Sequence, residues 1–251
     1  MRFKNYPVNL SAGFFVNYSM KLAARLFFCV LLIACAKQKP GSTFISVPNV
    51  TGTGKTWLAL GDSYTIGQSV TEAERFPAQT ANTLKQSGIN INTPTYIATT
   101  GWTTTNLMNS ILAQNPGNYD VVSLLIGVND QYQRHDTTGY RQRFTDLLIK
   151  AIQLANGKKE NVFVLSIPDY SVTPFAAGSD TAQIHKEIDW FNDINKNVTA
   201  NYNCPYLDIT PSTREGRYDR SLIATDGLHP SGVEYKRWAD RLAPMMLPVL
   251  K

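Results

Sequence analysis

The sequence predicts an α/β fold, a three-layer α/β/α sandwich built on a parallel sheet of about five strands. Three observations carry this. Short apolar runs alternate with longer amphipathic stretches, several runs end at a glycine or turn signal, and one run is apolar almost throughout, as a strand covered on both faces must be. The first run is Trp57 to Leu60, ending in Gly61, and a helix is expected to begin at Pro77, where a fixed φ suits the first turn. Tyr96 to Ala98 is the second run, ending near Gly101, and Val121 to Ile126 is the third and most apolar. Tyr140, Phe144, Leu147, Leu148, Ala151, Ile152 and Ala155 then fall at helical spacing on one stripe, which reads as core packing. Asn161 to Ile167 and Pro205 to Ile209 supply the fourth and fifth strands, and Ser231-Gly232-Val233-Glu234 reads as a capping box opening the last helix.

At 251 residues, 43% hydrophobic and 17% charged, the chain suffices for one well-buried core. The formal net charge of +5 resides mostly at the start. Arg2, Lys4, Lys21 and Arg25 precede position 35 with no acidic residue among them; without these four, 20 basic residues face 19 acidic ones, a net of +1. No global field remains to attract nucleic acid.

That start has the pattern of a signal segment, residues 1 to 34. A basic stretch from Lys21 to Arg25 leads into nine apolar residues, Leu26 to Ala34, too short for a permanent membrane span. Leu32-Ile33-Ala34-Cys35 resembles the lipobox of bacterial lipoproteins, which implies a diacylglycerol on the Cys35 thiol and a mature N-terminus there. Residues 1 to 19 fit no signal pattern, which leaves Met20 as a candidate start. Residues 35 to 55, rich in Lys, Pro, Gly, Ser and Thr, read as a tether reaching roughly 25 Å, and residues 56 to 251 as the folded domain. The expectation is an extracytoplasmic protein held to a membrane by lipid. Cys204 is then left without a disulfide partner and reads as a small buried residue, and three scattered histidines give no metal site and call for no cofactor. Gly52-Thr53-Gly54-Lys55-Thr56 imitates a phosphate-binding loop but precedes the first strand instead of following one, and so reads as linker.

Four segments hold candidate chemistry. Gly61-Asp62-Ser63-Tyr64 follows the first strand, Gly101-Trp102 the second and Gly127-Val128-Asn129-Asp130 the third; Asp226-Gly227-Leu228-His229-Pro230 precedes the last helix. Each alone is an ordinary turn. In an open parallel sheet, however, loops at the carboxyl ends of strands share one crevice. A serine hydroxyl needs a base to attack an ester. His229 is the one histidine with a carboxylate three residues away, Asp226, close enough to hold Nδ1–H and leave Nε2 for Ser63. His185 lies in a polar helical stretch and His135 in a polar loop, neither within a motif. For the oxyanion, the backbone N–H of Ser63, the N–H of Gly101 at a helix entrance and the side-chain amide of Asn129 are the candidate donors.

These ordered motifs resemble the GDSL/SGNH family of serine esterases and lipases over roughly residues 56 to 248. The family's serine, glycine, asparagine and histidine match Ser63, Gly101, Asn129 and His229, with Asp226 completing the triad. The resemblance implies a flavodoxin-like α/β/α fold and hydrolysis of acyl esters through an acyl-enzyme. Gly-Asp-Ser-Tyr departs from Gly-Asp-Ser-Leu at Tyr64, a neighbour of the nucleophile, and Gly61-Asp62-Ser63-Tyr64-Thr65 lacks the final glycine of an α/β-hydrolase elbow. The leading expectation is removal of short acyl groups, acetyl above all, from a small-molecule or carbohydrate ester. The alternatives are a lysophospholipase or thioesterase acting on longer chains, and a non-catalytic binding lipoprotein that kept the fold. Trp102, Tyr64, Tyr132 and Tyr170 fall in or beside the rim loops, as sugar-stacking faces or as loop packing.

Overall fold

The computed structural model describes residues 53–135 and 137–251. Five strands, β1 (Trp57–Gly61), β2 (Thr95–Ala98), β3 (Val121–Leu125), β4 (Val162–Leu165) and β5 (Tyr206–Leu207), form one sheet in the order β2-β1-β3-β4-β5. Every pairing is parallel. β1, β3 and β4 are buried along their whole length, which accounts for their nearly unbroken apolar sequence.

Between the strands run helices that cover the sheet. α1 (Ser63–Ile66) and α2 (Phe76–Gln86) follow β1, and α3 (Thr104–Gln114) follows β2. α4 (Val128–Arg134) and α5 (Tyr140–Leu154) follow β3, α6 (Thr181–Asn201) follows β4, and α7 (Thr210–Arg214) and α8 (Gly232–Leu250) end the chain. α2 packs on α8, where Phe76 lies 6.3 Å from Tyr235 and 5.9 Å from Trp238 between ring centres. α5 packs on α3 and α6, with Tyr140 and Phe191 rings 4.4 Å apart. The α5 stripe is core as expected: Tyr140, Phe144, Leu147, Leu148 and Ala151 are all buried.

Three strands end earlier than the apolar runs suggest, because side chains take over the backbone groups. The Ile126 carbonyl accepts from the Tyr140 hydroxyl, and the Asn192 carboxamide from α6 bonds both N–H and C=O of Ile167. The Ser166 hydroxyl accepts from the amides of Ile209 and Thr210. α2 begins at Phe76 with Pro77 in its first turn. At the start of α8 the expected capping box is half formed. Ser231 Oγ accepts from Glu234 N–H at 3.4 Å, but the Glu234 carboxyl turns inward to accept from Trp238 Nε1 at 2.7 Å and from Ser212. The folded region also begins slightly before residue 56. Lys55 bridges in parallel with Ile91, and Asn92 Nδ2 donates to the Gly54 carbonyl. Residues 1 to 34, Cys35 and the tether up to residue 52 lie outside the described residues.

The topology positions the site. After β1 the chain pairs β2 on one side, then places β3 on the other, so the loops leaving β1 and β3 flank one crevice. Two glycines permit this close approach. A Cβ on Gly61 would stand 2.4 Å from the Leu125 carbonyl oxygen and 2.1 Å from Thr65 Oγ1, while Gly127, at φ +128°, would drive a Cβ to 2.0 Å from the Tyr140 hydroxyl. Gly127→Ala should therefore lose about 2–4 kcal/mol of unfolding free energy in urea, from clash and backbone strain together. Gly88→Ala, at φ +84° with open space around it, isolates the backbone cost and should lose clearly less.

Candidate active site

Asp62 caps the four-residue α1, its Oδ1 accepting from Tyr64 N–H at 3.0 Å, and this tight strand-to-helix turn presents Ser63 as the first helical residue. The Ser63 N–H is one of the first-turn amides that no carbonyl of its own helix serves. Ser63 lines a cavity of about 80 Å³ whose other walls are Tyr64, Val128, Asn129, Tyr132, Tyr170, Phe175, Leu228 and His229.

His229 arrives from the far end of the chain on a loop closed by two-stranded pairing. Ile223 bridges Pro230 antiparallel, and Ala224 N–H donates to the His229 carbonyl at 2.7 Å. Within the loop, Asp226 Oδ1 accepts from the amides of Leu228 and His229 at 2.9 and 3.0 Å, and Oδ2 accepts from His229 Nδ1 at 2.6 Å. The Tyr64 ring packs on the imidazole at 4.9 Å. Among the described residues no hydrogen bond joins Ser63 Oγ to His229; the two face the same cavity, and such contacts commonly tighten with substrate in place.

Electrostatics fits a base and its orienter. Burial pulls the His229 pKa below the ordinary imidazole value against the opposing pull of Asp226, so the ring is neutral at neutral pH. Partial burial pushes Asp226 up, but bonds from Ser69, His229 and the two amides outweigh it and hold its carboxyl down to about 2. Asp62 behaves oppositely: complete burial raises its carboxyl to about 8 despite the Tyr64 amide.

Asn129, second in α4, lines the same cavity, and its Nδ2 donates to the Trp102 carbonyl at 3.0 Å. Nδ2 also donates to Asp62 Oδ2 at 3.4 Å, a long hydrogen bond of the kind a ligand oxygen readily displaces. Gly101 sits differently from the expectation. The cap of α3 is Thr103, two residues further on, and Gly101 is an exposed loop residue whose carbonyl accepts from Gln133 at 3.3 Å. It adjoins the cavity through Trp102 without lining it.

The remaining candidates lie elsewhere. His185 is not simply solvated, since its Nδ1 pairs with the buried Asp169 at 2.7 Å, and His135 Nδ1 pairs with Glu187 at 3.0 Å. Cys204 is buried, which pushes its thiol up to about 11. Sequence reasoning missed Ser69, Phe175 and the partners of Asp130. The Asp130 carboxylate accepts from the N–H and hydroxyl of Thr104, at 2.8 and 2.6 Å, locking the Gly101 loop to the start of α4. The Gly-Asp-Ser turn after the first strand was readable in sequence; contacts spanning dozens of residues were not.

A profile of the GDSL-like lipase/acylhydrolase family matches residues 59–237. The chain belongs to this family. As a member it is an ester hydrolase of the GDSL/SGNH type, and its five-stranded parallel sheet is the family's fold. No protein in a curated set matches the sequence. Among solved structures, TesA superposes with a TM-score of 0.59 at 18% identity, over 78% of this chain and 100% of that one. A lipase/acylhydrolase from Enterococcus faecalis gives 0.58 at 20% identity over 78% and 97%, and a variant of Axe2, an acetyl xylan esterase from Geobacillus stearothermophilus, 0.58 at 18% over 78% and 95%.

Because the imidazole must be neutral to accept a proton, kcat/KM for a soluble ester should rise with pH and level off. The inflection should fall below about 6.5, the unperturbed histidine value. A pH-rate profile between pH 4 and 8 checks this.

Proposed function

We propose that the protein hydrolyses short acyl esters, acetyl above all, with Ser63 as nucleophile, His229 as general base and Asp226 as its orienter. The Ser63 hydroxyl oxygen attacks the acyl carbonyl while its proton passes to His229 Nε2, and Asp226 stabilises the imidazolium. Negative charge on the carbonyl oxygen falls to the Ser63 N–H and the Asn129 amide, with the Gly101 N–H as third donor. The imidazolium then protonates the departing alkoxide. Water, activated by the same imidazole, frees the acid from the acyl-enzyme.

The observation that carries the preference for short chains is the cavity between nucleophile and base. At about 80 Å³ it is roughly half the volume of an apolar cavity of about 150 Å³ that holds benzene. Its apolar walls, Val128, Tyr132, Tyr170, Phe175 and Leu228, suit a methyl or ethyl group, and a lysophospholipase or long-chain thioesterase would need a longer channel. For the alcohol portion we favour a carbohydrate. Tyr132 and Phe175 remain 50% and 48% exposed beside the cavity and offer ring faces to a sugar, and one structural neighbour is an acetyl xylan esterase. A binding protein without catalysis is disfavoured because Ser63, Asp226 and His229 are all present and Asp226 and His229 are paired.

Purified protein should therefore hydrolyse p-nitrophenyl acetate and butyrate at least tenfold faster, by kcat/KM, than the octanoate, and release acetate from acetylated oligosaccharides. Ser63→Ala should abolish both. A preference for the octanoate would move the assignment to the long-chain reading.

We further propose that Cys35 carries a lipid anchor and that the domain acts outside the cytoplasm, on the basic flank, apolar run and Ala34-Cys35 junction of the sequence. No helix among the described residues is long and apolar enough to cross a membrane. Cys35→Ser should shift the protein from the membrane pellet to the soluble fraction on ultracentrifugation.

A further inference from the structure

The short turn after α1, Gly67-Gln68-Ser69, contributes nothing to the cavity wall, yet two of its residues, Gln68 and Ser69, bond to three of the segments that build the site. Gln68 N–H donates to the Ser63 carbonyl at 3.0 Å. Gln68 Oε1 accepts from the Thr100 hydroxyl at 2.7 Å, on the loop that carries Gly101. Ser69 Oγ donates at 2.6 Å to Asp226 Oδ2, the same oxygen that receives His229 Nδ1.

Ser69 holds this position at a conformational cost. Among the described residues five non-glycine residues have positive φ; Asn115, Asn156, Asn203 and His135 are types that tolerate it, and Ser69, at φ +67°, is the exception. Backbone strain of this kind persists where surrounding contacts fix it. The contact here is a charge-assisted hydrogen bond to a carboxylate. Asp226 needs fixing, because its side chain is 28% exposed and, among the described residues, Ser69 is the one hydrogen-bond partner its carboxylate has outside its own loop.

We propose that Ser69 is a positioning residue for the triad, its hydroxyl locking the Asp226 carboxylate in the rotamer that orients His229 and tying the triad loop to the nucleophile turn. The inference rests on the proposed catalytic roles of Ser63, Asp226 and His229. Removing the hydroxyl frees Asp226 to rotate, and it concentrates the negative charge of Oδ2 on the imidazole. The first effect lowers kcat, and the second favours the imidazolium and moves the acid limb of the pH profile upward. The other titratable groups around the pair do not reverse this sign. Tyr64 and Tyr235 are neutral phenols pushed far up by burial, Glu234 is raised by burial, and Asp169 is paired with Arg214 and His185.

The decisive variant is Ser69→Gly, because glycine accepts the left-handed backbone without strain and deletes the hydroxymethyl group that bonds Asp226. With p-nitrophenyl acetate as substrate we expect kcat to fall about tenfold, KM to change less than twofold and the acid limb to move to higher pH, while the thermal midpoint stays at or above that of the wild type. Asn129→Ala should in contrast lower kcat on the order of 10² to 10³ and leave the acid limb in place. Wild-type kcat and an unmoved acid limb in Ser69→Gly would overturn the positioning role. An inactive wild-type protein, or an active Ser63→Ala, would instead overturn the catalytic reading on which it stands.

Discussion

Everything at the site follows from the parallel pairing of β1 with β3 at the point where the sheet changes direction. Gly61 sits opposite Leu125 in the register, and the missing Cβ lets the turn after β1 press against the end of β3. A serine hydroxyl and an asparagine amide from segments 66 residues apart in sequence then border one small cavity. The geometry of the candidate site is thus a property of strand register before it is a property of side chains.

Onto this fixed edge the chain adds loops and restrains them. The histidine loop is drawn in by a single antiparallel bridge between Ile223 and Pro230 and by the capped start of α8. The Gly101 loop is held from behind by Asp130 through Thr104, and from the front by Asn129 through the Trp102 carbonyl. A carboxylate or carboxamide bridges each junction, so polar side chains do between loops what the hydrogen-bond ladder does between strands. The cavity these loops enclose is walled largely by aromatic and aliphatic groups, and the aromatic trio of Tyr132, Tyr170 and Phe175 braces itself, with ring centres 6.1 to 6.3 Å apart.

The fold class, the five strands and the α5 stripe were legible because burial on two faces and helical periodicity leave direct marks on composition. Strand ends were less so. Asn192 intercepts Ile167 from a helix 25 residues away, a competition that no local window contains. The Asp226–His229 pair was readable because the two lie three residues apart, and Ser63 because its Gly-Asp-Ser turn directly follows the first apolar run. Gly101 was placed on the correct loop but assigned to a helix entrance that belongs to Thr103, since the threonine that caps α3 looks like any other in a run of them. Ser69 left no mark at all. Its importance comes from a positive φ and a partner 157 residues distant, and neither is encoded in neighbouring residue types.

Asp62 gives the molecule a thermodynamic signature of its own. A carboxyl whose pKa stands near 8 when folded and at the ordinary 3.8 when unfolded must take up a proton as the chain folds at neutral pH. Its contribution to stability is fully present in acid and declines as pH climbs through that interval, whereas burial holds the His229 imidazole below its ordinary value, so that ring reaches its neutral form as pH climbs. Conformational robustness and the proposed turnover consequently draw the protein toward opposite ends of the pH scale, and the overlap between them sets the range in which both hold.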